Sequence, residues 1–139
     1  MFVQTLVKLA FENSVLATKN RSMIKNFLTT EKQIKENSHN GKGIVNLYEI
    51  WKEADFKSGV DFIDRVVVPP GSAVGFHTHG GNEEMYIVLE GQALMKIEDE
   101  EIAIRKGDMI LNPAGGSHGL VNNSNENIDI LVIQVGIDK

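Results

Sequence analysis

Residues 71–91 read GSAVGFHTHGGNEEMYIVLEG. The stretch closes on the continuous apolar run Met85–Leu89, bounded by Glu84 and Glu90, which reads as a strand. His77 and His79 stand at i, i+2. In a strand that spacing puts both imidazoles on one face with Cα atoms about 6.6 Å apart. Two imidazoles at that separation can converge on one metal ion through bonds of about 2.1 Å. Five residues on comes Glu84, after Gly80, Gly81 and Asn82. A bend at those residues lets the carboxylate swing in beside the histidine pair.

A second turn-rich stretch, residues 107–122, reads GDMILNPAGGSHGLVN. His118 follows Pro113-Ala114-Gly115-Gly116-Ser117, a rigid turn that opens another strand. Taken singly, a histidine is more often a hydrogen-bonded core residue than a ligand, and a Glu-Glu pair at a strand start is usually solvated. Three imidazoles and a carboxylate together, in a chain with four histidines, are hard to explain as core packing.

The rest of the chain supports a single β-rich domain. Its 139 residues fit one domain. At 42% apolar and 24% charged it falls outside the disordered and fibrous classes. The net charge of −5 argues against nucleic acid as a partner. The absence of cysteine excludes disulfides, zinc–thiolate sites, iron–sulfur clusters and thiol nucleophiles. No run approaches the roughly 18 apolar residues of a membrane span. Lys8, Glu12 and Asn13 break the N-terminal stretch as a signal-peptide core, so a cytoplasmic location is expected.

The charge is uneven. Residues 1–45 hold seven Lys and Arg against three Asp and Glu, whereas residues 46–139 hold seven against sixteen. Before Gly41 the pattern is helical. Val3, Leu6, Val7, Ala10, Phe11 and Ser14 share a helix face, and a second, weaker helix runs from Ser22 as N-cap through Ile24, Phe27 and Leu28. Residues 36–43 read as a loop. The division is therefore an N-terminal helical arm and loop over 1–43, which docks on its own barrel or a neighbour's, and a β domain over 44–139. Within the latter, strands are expected at 44–51, 60–68, 85–89, 93–97, 101–104, 109–111, 118–121 and 128–135. Turn signals separate them, as in an antiparallel sandwich or barrel.

The two quoted stretches resemble the paired signature motifs of the cupin superfamily. The first is Gly-x5-His-x-His-x4-Glu-x6-Gly, with Gly71, His77, His79, Glu84 and Gly91; the second is Gly-x5-Pro-x-Gly-x2-His-x3-Asn, with Gly107, Pro113, Gly115, His118 and Asn122. The intervening residues 92–106 have the length typical of small microbial cupins. The resemblance covers roughly residues 44–136 and implies an all-β fold: a cupin-type antiparallel jelly-roll β-barrel, here with a short helical N-terminal arm. It further implies one divalent metal held by His77, His79, Glu84 and His118. The motif selects Glu84 over Glu83, and strand alternation agrees, since Glu84 then points inward with Tyr86 and Val88.

Three nitrogens and one oxygen leave two adjacent octahedral positions open. The set suits Mn, Fe, Co, Ni or Zn; supply in the cell makes Mn or Fe the expected ion. Such a centre would bind a ligand through two vicinal oxygens, such as a 2-oxo acid, a diketone or a sugar derivative, acting as a Lewis acid or a redox centre. Phe76, Tyr86, Met95, Met109, Leu111 and Ile133 are candidates for the apolar wall, and Arg65 and Gln92 for polar ligand contacts. Tyr86 and Glu90 are the nearest acid–base candidates, Tyr86 the catalytic one; Glu90 falls at a hairpin turn. Val74 stands where oxalate decarboxylases usually carry Arg, which speaks against oxalate chemistry. The expected function is a metal-dependent enzyme of oxygenase, decarboxylase or isomerase type on a small oxygenated substrate. The alternative is a non-catalytic module that binds a sugar, small acid or effector. A homodimer is expected, built through the N-terminal arm.

Overall fold

The computed structural model describes residues 23–138, together with Gln4 and Lys8. Ten strands are described among them: β1 (Gln33–Glu36), β2 (Ile44–Lys52), β3 (Val60–Val68), β4 (Ala73–Thr78), β5 (Asn82–Glu90), β6 (Gln92–Ile97), β7 (Glu100–Arg105), β8 (Met109–Asn112), β9 (Ser117–Val121) and β10 (Ile128–Gly136). They form a six-stranded sheet in the order β1-β2-β3-β10-β5-β8 and a four-stranded sheet in the order β4-β9-β6-β7. Every pairing is antiparallel. This is the jelly-roll arrangement that the motifs imply.

Alternation along the central strands builds the interior. On β10, Ile128, Ile130 and Val132 are buried, while Asp129, Leu131 and Ile133 fall on the other face. They meet Val88 and Tyr86 of β5 and Met95 and Leu120 of the opposing sheet. Each such aliphatic side chain contributes about 1.5–3 kcal/mol on burial. A register slip of one residue would turn the whole set to solvent, so the pattern fixes the pairing. Asn122 closes the core at its lower edge. It is fully buried, donates to Val68 O and Glu126 O, and accepts from Ser124, which pins the 122–127 turn to β3.

Two sequence expectations need correction. The segment from Met23 to Thr30 forms turns, not a helix. Asn26 Oδ1 accepts the Leu28 N–H at 2.8 Å, and Asn26 O accepts from Thr29 and Thr30. These local bonds compete with the helical ladder. The segment is held down by Lys25, whose Nζ donates to Ile50 O at 2.7 Å and lies 4.3 Å above the Trp51 ring. The stretch read as arm and loop also contributes β1, an edge strand paired with β2 from Gln33↔Leu47 to Glu36↔Ile44. Its sequence, QIKE, has one apolar residue; pairing with β2 decides its conformation. The expected first helix lies almost wholly outside the described residues, of which Gln4 and Lys8 are helical.

Candidate metal centre

The two sheets bring the four motif residues to one place. His77 on β4 sits directly across from His118 on β9. His79 lies just past the end of β4, and two backbone bonds fasten it to the glycine-rich turn: its N–H donates to Gly116 O at 2.9 Å and its O accepts from Gly115 at 2.8 Å. Glu84 comes from β5 in the other sheet, between Asn112 of β8 and Gln134 of β10. One ligand atom from each of the four residues lies within 4.8 Å of every other. His79, Glu84 and His118 are buried, and His77 is half-buried.

The hydrogen bonds orient the rings. His77 Nδ1 is 2.7 Å from Gly75 O. A carbonyl only accepts, so the proton is on Nδ1 and the Nε2 lone pair faces the cluster. His79 Nδ1 likewise donates to Asn82 Oδ1 at 2.6 Å. The Nε2 atoms of His77 and His79 face each other at 3.1 Å, as do those of His79 and His118. Glu84 Oε1 lies 3.1 Å from His118 Nε2 and 3.5 Å from His79 Nε2. Burial lowers the His77 pKa against the opposing Gly75 bond, which keeps the ring neutral. Lone pairs this close repel unless a cation stands between them. Bonds of ~2.1 Å meeting at right angles place donor atoms about 3.0 Å apart. The donor set therefore fits one divalent transition metal.

The cluster opens on a cavity of about 420 Å³ between the sheets. Its walls are Val45, Leu47, Phe62, Val66, Val74 and Val132; Glu84 and Tyr86 bring it to the cluster. Tyr86 packs 5.1 Å from the His118 ring. Burial first, then the charge of Glu84 and a hydrogen bond with it, raises the phenol pKa well above the ordinary value. Tyr86 thus keeps its proton beside Glu84.

Several other candidates lie elsewhere. Arg65 is on the outer face of β3, one residue out of phase with Phe62 and Val66. It binds Asp129 through two bonds, of 2.8 and 2.6 Å, under the Tyr48 ring. Gln92 is exposed at the start of β6, in shallow grooves with Ala103 and Ile104. Phe76 is half exposed beneath Lys96 on the outside of the smaller sheet. Met95 is fully buried, but in the core and not the cavity wall. Met109 and Leu111 are exposed, Ile133 faces away from the cavity, and Glu90 pairs with Lys106 at the surface. Of the expected wall residues, only Tyr86 lines the cavity.

Two cavity residues escaped the sequence reading. His39 stacks on His77 with centroids 3.7 Å apart and planes 9° from parallel. Burial lowers its pKa. The loop that carries it holds Asn37, His39 and Asn40 at positive φ. It packs backbone to backbone on β4, where a Cβ at Gly75 would come within 1.9 Å of His39 O. No periodicity marks such a loop. Asp64 is buried, with Oδ1 lacking a hydrogen-bond partner among the described residues. Its signal was present: Phe62, Asp64, Val66 and Val68 occupy alternate positions of β3, so a carboxyl stands in an otherwise apolar inward series.

Known proteins share this fold. The family model described as Cupin domain matches residues 64–134. The oxalate-binding protein of Thermotoga maritima is 29% identical over 97 residues, spanning 70% of this chain and 80% of its own. The crystal structure of a predicted oxalate decarboxylase from the same organism superposes with a TM-score of 0.79 at 25% identity, over 81% of this chain and 98% of that one. The polyketide cyclase RemF of Streptomyces resistomycificus superposes with a TM-score of 0.68 at 17% identity, over 83% of this chain and 79% of its own, and shares the fold. The family model covers just over half of the residues, and this chain belongs to the cupin domain family.

Proposed function

We propose that His77, His79, Glu84 and His118 hold one divalent transition metal, Mn or Fe in the cell, and that the protein binds and transforms a small oxygenated acid there. The observation that carries this reading is the convergence of three imidazole nitrogens and a carboxylate oxygen, the carboxylate of Glu84 also lining the neighbouring cavity. When bound, the metal would supply a Lewis-acidic or redox centre with positions open to a chelating ligand. The chain supplies the rest. The β4 and β9 backbones fix the imidazoles, Asn82 and Gly75 fix two tautomers, and Tyr86 holds Glu84 by donating to it. Val45, Leu47, Val66, Val74 and Val132 offer an apolar surface to the body of the ligand. The Thermotoga relative named for oxalate binding supports an acid ligand. Val74, which lines the cavity at the position where an Arg is typical of oxalate decarboxylases, supports a substrate other than oxalate for any turnover. A homodimer in the cytoplasm completes the reading; among the described residues no helix is long and apolar enough to cross a membrane.

The alternative, a binding module without turnover, draws support from Tyr86, whose raised pKa suits holding a ligand better than exchanging protons. Calorimetry separates the outcomes. Protein loaded with Mn(II) should bind oxalate and 2-oxo acids, and protein stripped by chelator should bind neither. Product formation from a 2-oxo acid, a diketone or a sugar phosphate, with and without O2, marks the enzyme. Equal binding with and without metal contradicts both readings.

A further inference from the structure

Asp64 has a setting that no part of the metal centre explains. It lies on β3, and the register runs Asp64↔Val132 across β10 and Val132↔Tyr86 onto β5. All three side chains line the cavity. Two strand spacings put Asp64 and Tyr86 about 10 Å apart at Cα, on the same inner face of the sheet with Val132 between them. The strand opposite is irregular here. The register between β2 and β3 shifts at Ile50, which frees the Ile50 N–H to bond the Asp64 carboxyl. Oδ1 is left buried without a partner among the described residues. A buried polar atom without a partner is costly and calls for an explanation.

The charges that act on Asp64 are those of Glu49, across from it on β2, and Glu84 on β5; β10 presents Val132. Lys35, Glu36 and His39 line the same cavity from the β1 side, and Lys25 binds Ile50 O. Burial first, then the two carboxylates, pushes the Asp64 pKa to about 6. In its protonated form the carboxyl has a hydrogen to give and, among the described residues, no hydrogen-bond acceptor for it.

We propose that Asp64 is the ligand's second anchor: it donates a hydrogen bond to an oxygen at the far end of a molecule whose near end is held at the His77–His79–Glu84–His118 cluster. The proposal rests on the metal-centre reading and deepens it by naming the ligand class. The space between the two anchors is walled by Leu47, Phe62, Val66 and Val132. A cavity of about 420 Å³ falls in the range of small-molecule sites. It suits a 2-oxo acid with an apolar body and a distal carboxylate or carbonyl. Oxalate, with two carbons, reaches the cluster alone.

The test compares oxalate and 2-oxoglutarate on the full Mn(II)-loaded chain, between about pH 5 and about pH 7.5. Protonation of the cluster imidazoles weakens both ligands alike and cancels in their affinity ratio. With a carboxyl pushed up to about 6, the protonated fraction falls roughly thirtyfold across that range. The preference for 2-oxoglutarate over oxalate should fall by roughly that factor, and Asp64→Asn should flatten the dependence. A ratio that does not change with pH in the wild type, or that changes equally in Asp64→Asn, overturns the proposal. So does binding of oxalate with no binding of 2-oxoglutarate at any pH. Failure of both ligands to bind the metal-loaded protein overturns the metal-centre reading itself, and this proposal with it. The wild-type ratio decides even if Asp64→Asn does not fold.

Discussion

Replacing Asp64 by Asn should stabilise the metal-free protein at neutral pH and leave it nearly unchanged in acid. The carboxyl moves from 3.8 to about 6 on folding, chiefly through burial. A raised carboxyl pKa means that the native state holds its proton after the unfolded chain has lost it. The native state then binds more protons, so stability falls as pH rises from about 4 to about 7. At about 1.4 kcal/mol per pKa unit, the wild type loses up to about 3 kcal/mol across that window. Asn cannot ionise and still offers an oxygen to the Ile50 N–H. The stability difference, Asp64→Asn minus wild type, should therefore grow by up to about 3 kcal/mol between acid and neutral pH. Urea unfolding followed by Trp51 fluorescence at a series of pH values measures it, and chelator keeps metal out of the comparison. Contributions from the histidines are common to both proteins and cancel. A difference that stays flat, or that shrinks as pH rises, would refute the reasoning.

Three further outcomes follow from the geometry. Gly75→Ala should cost about 1–3 kcal/mol or displace the His39 loop, because its Cβ would lie 1.9 Å from His39 O; Gly80→Ala, with open space around it, is the control in thermal unfolding. Asn82→Ala removes the acceptor that orients His79 and should weaken Mn(II) binding about 10–100-fold with the fold retained, read by calorimetry and circular dichroism. Arg65→Met leaves Asp129 without its partner and should cost about 1–3 kcal/mol in urea unfolding while leaving Mn(II) affinity unchanged.

Local patterns carried the interior of the barrel well. The alternation on β5 places Tyr86 and Val88 inward, and the same parity chooses Glu84 over Glu83; on β10 the expectation of an inward Ile133 takes the wrong parity, since Ile130 and Val132 are the buried residues. The motif residues meet as the family resemblance implies, because β4 and β9 pair His77 with His118. What escaped was decided by partners far along the chain. β1 is a strand because β2 pairs with it, and residues 23–30 abandon a helix for side-chain bonds to Asn26 and for Lys25 packing on Trp51. Arg65 and Phe76 were assigned to the cavity by residue type, although Arg65 stands on the face opposite to Asp64 and Phe76 lies outside the smaller sheet. His39 had no periodic signal. Its place over His77 comes from a loop in left-handed conformations pressed against Gly75.

The central claim is that the four converging side chains form a metal site. Elemental analysis of protein purified without an affinity tag, and after reconstitution with Mn(II) or Fe(II), addresses it most directly. The account predicts one transition-metal ion per chain, lost in a His77→Ala/His118→Ala variant that keeps the wild-type circular dichroism. A folded wild-type protein that retains no stoichiometric metal after reconstitution, or a double variant that retains as much as the parent, would contradict it.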